Sequence, residues 1–200
     1  MTNTTATLDT SIARKAMIDS QLRASGVNEE FVLGRMLAVA REDFLPSEKA
    51  PLAYIDRSVA LDDGGHLASP LFYGKLLVEA VPMPVDSVLV IEGGTGYLAE
   101  LLRPLVKLVD VVKAADVASD RIDTSKSYSL VLLDGAIEQL PDSIARVTEE
   151  NGRIIGGLVL RKVTRLAAGR KILGKMALMP IEDIGIPVLN EFASKPEWSF

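Results

Sequence analysis

Between Ser87 and Leu160, apolar β-branched runs alternate with helix-patterned stretches, and that alternation limits the fold more than any other feature of the chain. In order they read "SVLVIE", "GYLAELLRPLV", "LVDVV", a polar interval, "YSLVLLD", "LPDSIARVTEE" and "GRIIGGLVL". Strands that are apolar on both faces and separated by helices predict a parallel sheet covered on both sides, hence an α/β fold. After Leu160 the pattern changes to strands joined by short Gly-containing turns, "VTRLAAGRKILGKMALMPIED", which predicts an antiparallel hairpin added to that sheet. Nearer the start, Ile12, Ala16, Ile18 and Leu22, then Phe31, Val32, Met36 and Leu37, recur at helical spacing around "ASGVN" and predict two helices. Residues 1–10, rich in Thr, are expected to be loose, and a third helical pattern runs from Leu71 to Ala80, where "VPMP" ends it. A chain of 200 residues that is 48% hydrophobic suits a single domain, with N-terminal helices and a loop in 11–80 and the alternating core in 85–200.

Composition narrows the function classes. A net charge of −5 gives no broad basic surface, which speaks against nucleic acid as a partner, and Arg161, Lys162, Arg165, Arg170, Lys171 and Lys175 read as solvated hairpin charges. The absence of cysteine excludes disulfides, zinc–thiolate sites and thiol nucleophiles and fits a reducing compartment. The opening "MTNTTATLDTSIARKAMIDSQL" has no apolar core of the signal-peptide kind, and no later run is long enough to span a bilayer, so the expectation is a cytoplasmic protein with no membrane partner. One histidine without partners makes no metal site.

The stretch "VLVIEGGTGYLAELL" carries the chemistry. A strand enters a glycine cluster and leaves as a helix, the arrangement that lets backbone approach a cofactor. Glu92 stands where such turns normally place their first glycine. Four groups of residues taken together, "MIDSQLRASGVNEEFVLGRMLAVAREDFLP" ahead of "AYIDRSVAL", "GGHLASPLFYGKLLVEA", "GGTGYLAELL", and "LLDGAIEQLPDSI" followed by "NGRIIGGLV", resemble the protein-L-isoaspartate O-methyltransferase family. These are class I S-adenosylmethionine (SAM) enzymes that methylate damaged aspartyl residues, and the resemblance covers most of the chain.

That resemblance implies a Rossmann-like class I methyltransferase sheet, SAM as cofactor and proteins or peptides with isoaspartyl residues as substrate. It assigns the cofactor loop to Glu92, Gly93, Gly94, Gly96 and Tyr97. Asp134, at the end of the strand "YSLVLLD", is read either as a contact to cofactor or substrate or as a cap on the next turn. The chain also departs from the family pattern. Lys113 matches the position of the ribose-binding acid, an acceptor-only role that a lysine cannot fill. In "HLASP" the family's hydroxyl residue aligns with Ala68, which leaves Ser69 and His66 as the catalytic candidates; Ser69 reads equally as a helix N-cap. Between Val112 and Tyr128 the family places a helix, a strand and a helix, whereas fifteen residues hold about one turn of helix and a loop. The sheet should therefore be one strand shorter, the adenine wall missing and "KLVDVV" the new edge. That edge would be covered by residues 114–127 or by a second copy of the chain, the latter giving a homodimer. Two functions follow: a SAM-dependent protein carboxyl methyltransferase with altered cofactor and substrate motifs, or a catalytically inactive family member acting as a binding or interaction protein.

Overall fold

The computed structural model describes residues 4–194. Helix α1 (Thr4–Ala16) runs without a break into a wider-wound turn, Met17–Leu22, and then a tighter one, Arg23–Ser25, which ends at the left-handed Gly26. The expectation of loose chain over residues 1–10 is thus corrected for residues 4–10, and residues 1–3 lie outside the described residues. Tertiary bonds outweigh the modest helix preference of threonine: Arg14, in the last turn, donates to Tyr54 Oη at 2.7 Å and pairs with Glu42 at 3.0 Å. Helix α2 (Glu30–Ala38) follows, and a small antiparallel pair, β1 (Val59–Ala60) and β2 (His66–Leu67), closes the loop-rich region. Helix α3 (Pro70–Ala80) begins where Ser69 Oγ accepts the amide of Phe72 at 3.2 Å, with Pro70 at its first position.

The alternating region folds in the order expected: β3 (Ser87–Glu92), α4 (Tyr97–Leu102), β4 (Leu108–Lys113), α5 (Ala114–Ala118), β5 (Tyr128–Ile137), α6 (Asp142–Val147) and β6 (Thr148–Leu160). The antiparallel β7 (Val163–Arg170) and β8 (Met179–Asp183) complete a sheet of order β4-β3-β5-β6-β7-β8, in which β4, β3, β5 and β6 run parallel. Side chains alternate between two apolar layers, as the two-residue period of a strand requires. Val88, Val90, Leu130 and Leu132 meet Met17, Val32, Phe72 and Leu98 on one face. Leu89, Ile91, Val131 and Leu133 meet Ala114, Val117, Ile144 and Val147 on the other. The N-terminal helices therefore share one core with the sheet.

Two features place the site. Strand β4 is the sheet edge, and the interval after it holds only the single turn of α5 and a loop, tied back by Lys126 to Asp110 at 2.9 Å and by Tyr128 Oη to the same carboxylate at 2.8 Å. The carboxyl ends of β3, β4 and β5 converge on one rim, and the segment after β8 crosses it: the amide of Ala136 donates to Pro187 O at 2.7 Å and that of Leu189 to Ala136 O at 2.8 Å. The hairpin cations are spent locally, Arg165 on Asp183, Arg170 on Asn151 O and Lys171 on Ala145 O and Thr148 O.

Candidate active site

At the rim three strand ends are laced together. The amide of His66 donates to Gly93 O at 2.8 Å, the amide of Gly93 to Asp134 Oδ2 at 3.3 Å, and His66 Nε2 bonds Asp134 O at 2.8 Å. Because a carbonyl only accepts, that last bond makes Nε2 the protonated nitrogen. A Cβ on Gly93 would lie 2.5 Å from Asp134 O and 2.7 Å from His66 Cε1, so this glycine is required by the chain packing against itself. The turn beyond it is different. Gly94 and Gly96 take the left-handed φ values of 111° and 74°, and the amides of Gly94, Thr95 and Gly96 donate to no protein group among the described residues. Of these three adjacent free amides, that of Gly94 belongs to a residue lining the first cleft, and successive free amides in a turn are a backbone feature that suits an anion.

Behind the turn lies an arginine that the sequence did not announce. Arg41 is fully buried; its Nε donates to Ala53 O at 2.6 Å and its guanidinium to Ala68 O at 2.7 Å. The guanidinium carbon stands 5.5 Å from the centre of the Tyr73 ring and 5.0 Å from that of Tyr97, within cation–π range. Tyr73 Oη accepts the amide of Ala68 at 3.2 Å. Ala68 thus has both backbone polar groups held by buried side chains, and the 66–69 loop is fixed from behind. No carboxylate among the described residues lies within ion-pair distance of Arg41.

Two clefts open on the rim. The first, about 390 Å³, is lined by residues 63–66, Glu92 to Gly94, Lys113 to Ala115 and residues 188–191. The second, about 530 Å³, is lined by residues 56–58, Ala60, Ser69, Leu71, Thr164 and residues 184–187. His66 borders both. Desolvation pushes the Glu92 carboxyl above its ordinary value; Lys113, its register partner on β4, pulls the other way and Asp134 adds to the rise. Burial likewise raises the Asp134 carboxyl, with His66, the Tyr73 hydroxyl and the Gly93 amide opposing.

Glu92, Gly93 and Gly94 therefore stand on the first cleft as the sequence suggests, and Gly96 completes the turn. Tyr97 does not reach the cleft: it is fully buried, edge-on to Tyr73 at 5.0 Å and Phe44 at 5.2 Å. Asp134 is neither a crevice contact nor a cap on the next turn; it is completely buried and bridges β5 to Gly93 and His66. The Ser69 hydroxyl serves as the N-cap of α3 while bordering the second cleft. Sequence reasoning missed Arg41, Tyr73 and residues 188–191, which together with Ala114 and Ala115 line the side expected to be bare. One signal was available: a carboxylate ending the apolar run "LVLL" needs a buried partner.

The model of the protein-L-isoaspartate(D-aspartate) O-methyltransferase family matches residues 13–129. A protein-L-isoaspartate O-methyltransferase of Koribacter versatilis is 26% identical, over 92% of this chain and 93% of its own length. One from Methanoculleus marisnigri is 24% identical, over 93% of this chain and 96% of its own. Among solved structures, a protein-L-isoaspartate O-methyltransferase from Plasmodium falciparum in complex with S-adenosyl-L-homocysteine superposes with a TM-score of 0.70 at 16% identity, covering 91% of this chain and 98% of that one. The last likeness establishes the fold.

Proposed function

We propose, for a chain that belongs to the protein-L-isoaspartate(D-aspartate) O-methyltransferase family, that the first cleft takes S-adenosylmethionine and the second a protein carboxylate. The observation that carries this reading is the row of free amides at Gly94, Thr95 and Gly96, at the carboxyl end of β3 where open α/β sheets bind ligands. They fit the amino-acid end of the cofactor. The other end is altered but not closed: Lys113 donates to a ribose hydroxyl oxygen instead of accepting from it, and Ala114, Ala115 and residues 188–191 stand where the longer family crossover would supply the adenine wall.

When bound, the cofactor supplies a methyl group on a sulfonium. The chain's own part is orientation. A carboxylate acceptor needs no proton removed, so the residues have to hold it, exclude water and keep both partners in line. Glu92 places a negative charge on the cofactor side, where a cation is favoured. Ser69 and His66 border the acceptor side.

Calorimetric titration with SAM and with S-adenosylhomocysteine tests the reading, followed by transfer of labelled methyl to an isoaspartyl peptide. Lys113→Asp restores the acceptor and should tighten SAM binding about tenfold, the scale of one hydrogen bond to a charged group. No SAM binding at millimolar concentration in either protein would overturn the proposal. Binding without methyl transfer would point to the inactive alternative, which no relative described above favours. We further infer a homodimer through the β4 edge, and a cytoplasmic location from the cysteine-free sequence; no described helix is long and apolar enough to cross a membrane.

A further inference from the structure

His66 stands between the two clefts with one nitrogen committed and one free. Nε2 donates to the main-chain carbonyl of Asp134, whereas Nδ1 has no protein partner among the described residues. The ring is 6% exposed, so little solvent reaches it except through the clefts that it borders. Of the other groups near the ring that could serve an acceptor, those of the 66–69 loop and β7 are absent or occupied, which leaves Ser58 and Arg57 on the far rim of the second cleft. Ala68 has no hydroxyl, Ser69 Oγ is the cap of α3, and Thr164 Oγ1 donates to Ile184 O at 2.7 Å while accepting the amide of Ile186 at 3.1 Å.

With Nε2–H fixed, the neutral imidazole presents a lone pair at Nδ1, which repels a carboxylate. The imidazolium presents an N–H, which binds one. We propose that His66 is a proton-gated receptor for the substrate carboxylate: the acceptor carboxylate docks on protonated Nδ1 in the second cleft and is poorly held when His66 is neutral. The inference deepens the reading given above and rests on it for the identity of the carboxylate. Arg57, on the rim of the same cleft, makes no ion pair among the described residues and adds a second positive charge, while Asp56 beside it opposes. The other charges facing the ring are Asp134 behind it, Glu92 on the β3 end, Asp63 on its own loop, and Lys113 and Glu191 across the first cleft. A carboxylate at Nδ1 raises the affinity of His66 for its proton, so binding is strongest below the free midpoint and is lost as pH rises through the bound one.

Because the chain has one histidine, its imidazole signals in nitrogen-15 NMR are unambiguous. The free protein should show the Nε2–H tautomer at high pH. Saturation with a capped isoaspartyl-glycine peptide should raise the titration midpoint by half a unit or more, equivalent to about threefold tighter binding to the protonated form. The same peptide with its α-carboxylate amidated should leave the midpoint unmoved. Succinate, as a simple dicarboxylate probe, should reproduce the shift at millimolar concentration. His66→Gln keeps an amide donor for Asp134 O and should bind the isoaspartyl peptide with no pH dependence beyond that of the peptide itself. Peptide bound by calorimetry with His66 unmoved would overturn the gate and leave the substrate reading intact. A shift with succinate but none with the peptide, and no peptide binding, would keep the gate and overturn the isoaspartyl assignment. No response to either probe overturns the gate, whatever the fate of the variant.

Discussion

The two walls of the first cleft are built on opposite terms. On the β2–β3–β5 side, every strand end is tied to its neighbour by a hydrogen bond, and Arg41, Tyr73, Tyr97 and Asp134 fill the space behind with no accessible surface. On the β4 side, the strand is the edge of the sheet; Leu108 and Val111 are 43% and 41% exposed, and one short helix stands in for a longer crossover. The first wall holds the 66–69 loop, to which the proposed function assigns the substrate, and it cannot shift without losing several buried bonds at once. In the proposed function the second would touch only the adenosine end of the cofactor, where contacts add affinity without aligning the reacting atoms. A chain can thus lose structure at β4 and keep the geometry that orients the acceptor.

Arg41→Ala should break the comparison most visibly. It leaves the buried Ala53 O and Ala68 O without their donor, at about 1–3 kcal/mol each, and opens a cavity between two tyrosine rings, so a loss of about 3–5 kcal/mol is expected. Denaturant unfolding measures this. A loss under about 1 kcal/mol would mean that the buried side is no more committed than the edge, since that is the ordinary size of a single substitution.

Asp134→Asn should act in the opposite direction and through pH. The folded protein raises the Asp134 carboxyl above its ordinary value, so the native state holds the proton more tightly than the unfolded one. Stability of the parent protein therefore falls as pH climbs above about 4, until the folded-state midpoint is passed. Asparagine keeps an oxygen for the Gly93 amide and brings no charge. Its advantage should be absent near pH 4 and grow to ~1 kcal/mol at neutral pH, the scale of a buried oxygen that, like Oδ1, lacks a partner. Thermal melts of both proteins between pH 4 and 8 decide it. A variant less stable than the parent throughout would show that the charged carboxylate is an asset to the seam.

How far each wall could be read from sequence follows from the same contrast. Strands β3 to β6, the short edge and the C-terminal hairpin are written in local periodicity, and so is the Ser69 cap, which needs only a hydroxyl before a proline at a helix start. The buried wall joins residues far apart in the chain: Arg41 to Ala68, His66 to Asp134, Tyr73 to Tyr97. No local pattern marks Arg41, whose neighbours Glu42 and Asp43 give it the look of a surface charge. Asp134 reads from sequence as a crevice contact or a turn cap, because the end of a parallel strand generally faces a ligand or a turn; here Gly93 and His66 cover it. Tyr97 was misplaced for a similar reason: the first residue of α4 points into the core beneath the turn instead of out of it.

The smallest effect is expected at the edge, where stability and assembly separate. The 114–127 segment is anchored at Asp110 but leaves Leu108 and Val111 exposed, and β4 has no strand neighbour besides β3 among the described residues. Unpaired strand groups beside exposed aliphatic side chains favour another strand, and a second copy offers the same edge in antiparallel register about a twofold. Centred on Val111, that register sets Lys113 opposite Val109 of the other copy, so that neither lysine flanking the strand faces its like. Val111→Lys places a charge at the centre of the edge. As an exposed substitution it should change unfolding free energy by no more than about 0.5 kcal/mol. Light scattering should nevertheless find a dimer for the parent and a monomer for the variant. A parent that is monomeric at tens of micromolar would end the self-pairing idea, and a variant that stays dimeric would move the interface elsewhere. Either result leaves the buried wall as it stands, because nothing in its bonds reaches β4 except through the register of Glu92 with Lys113.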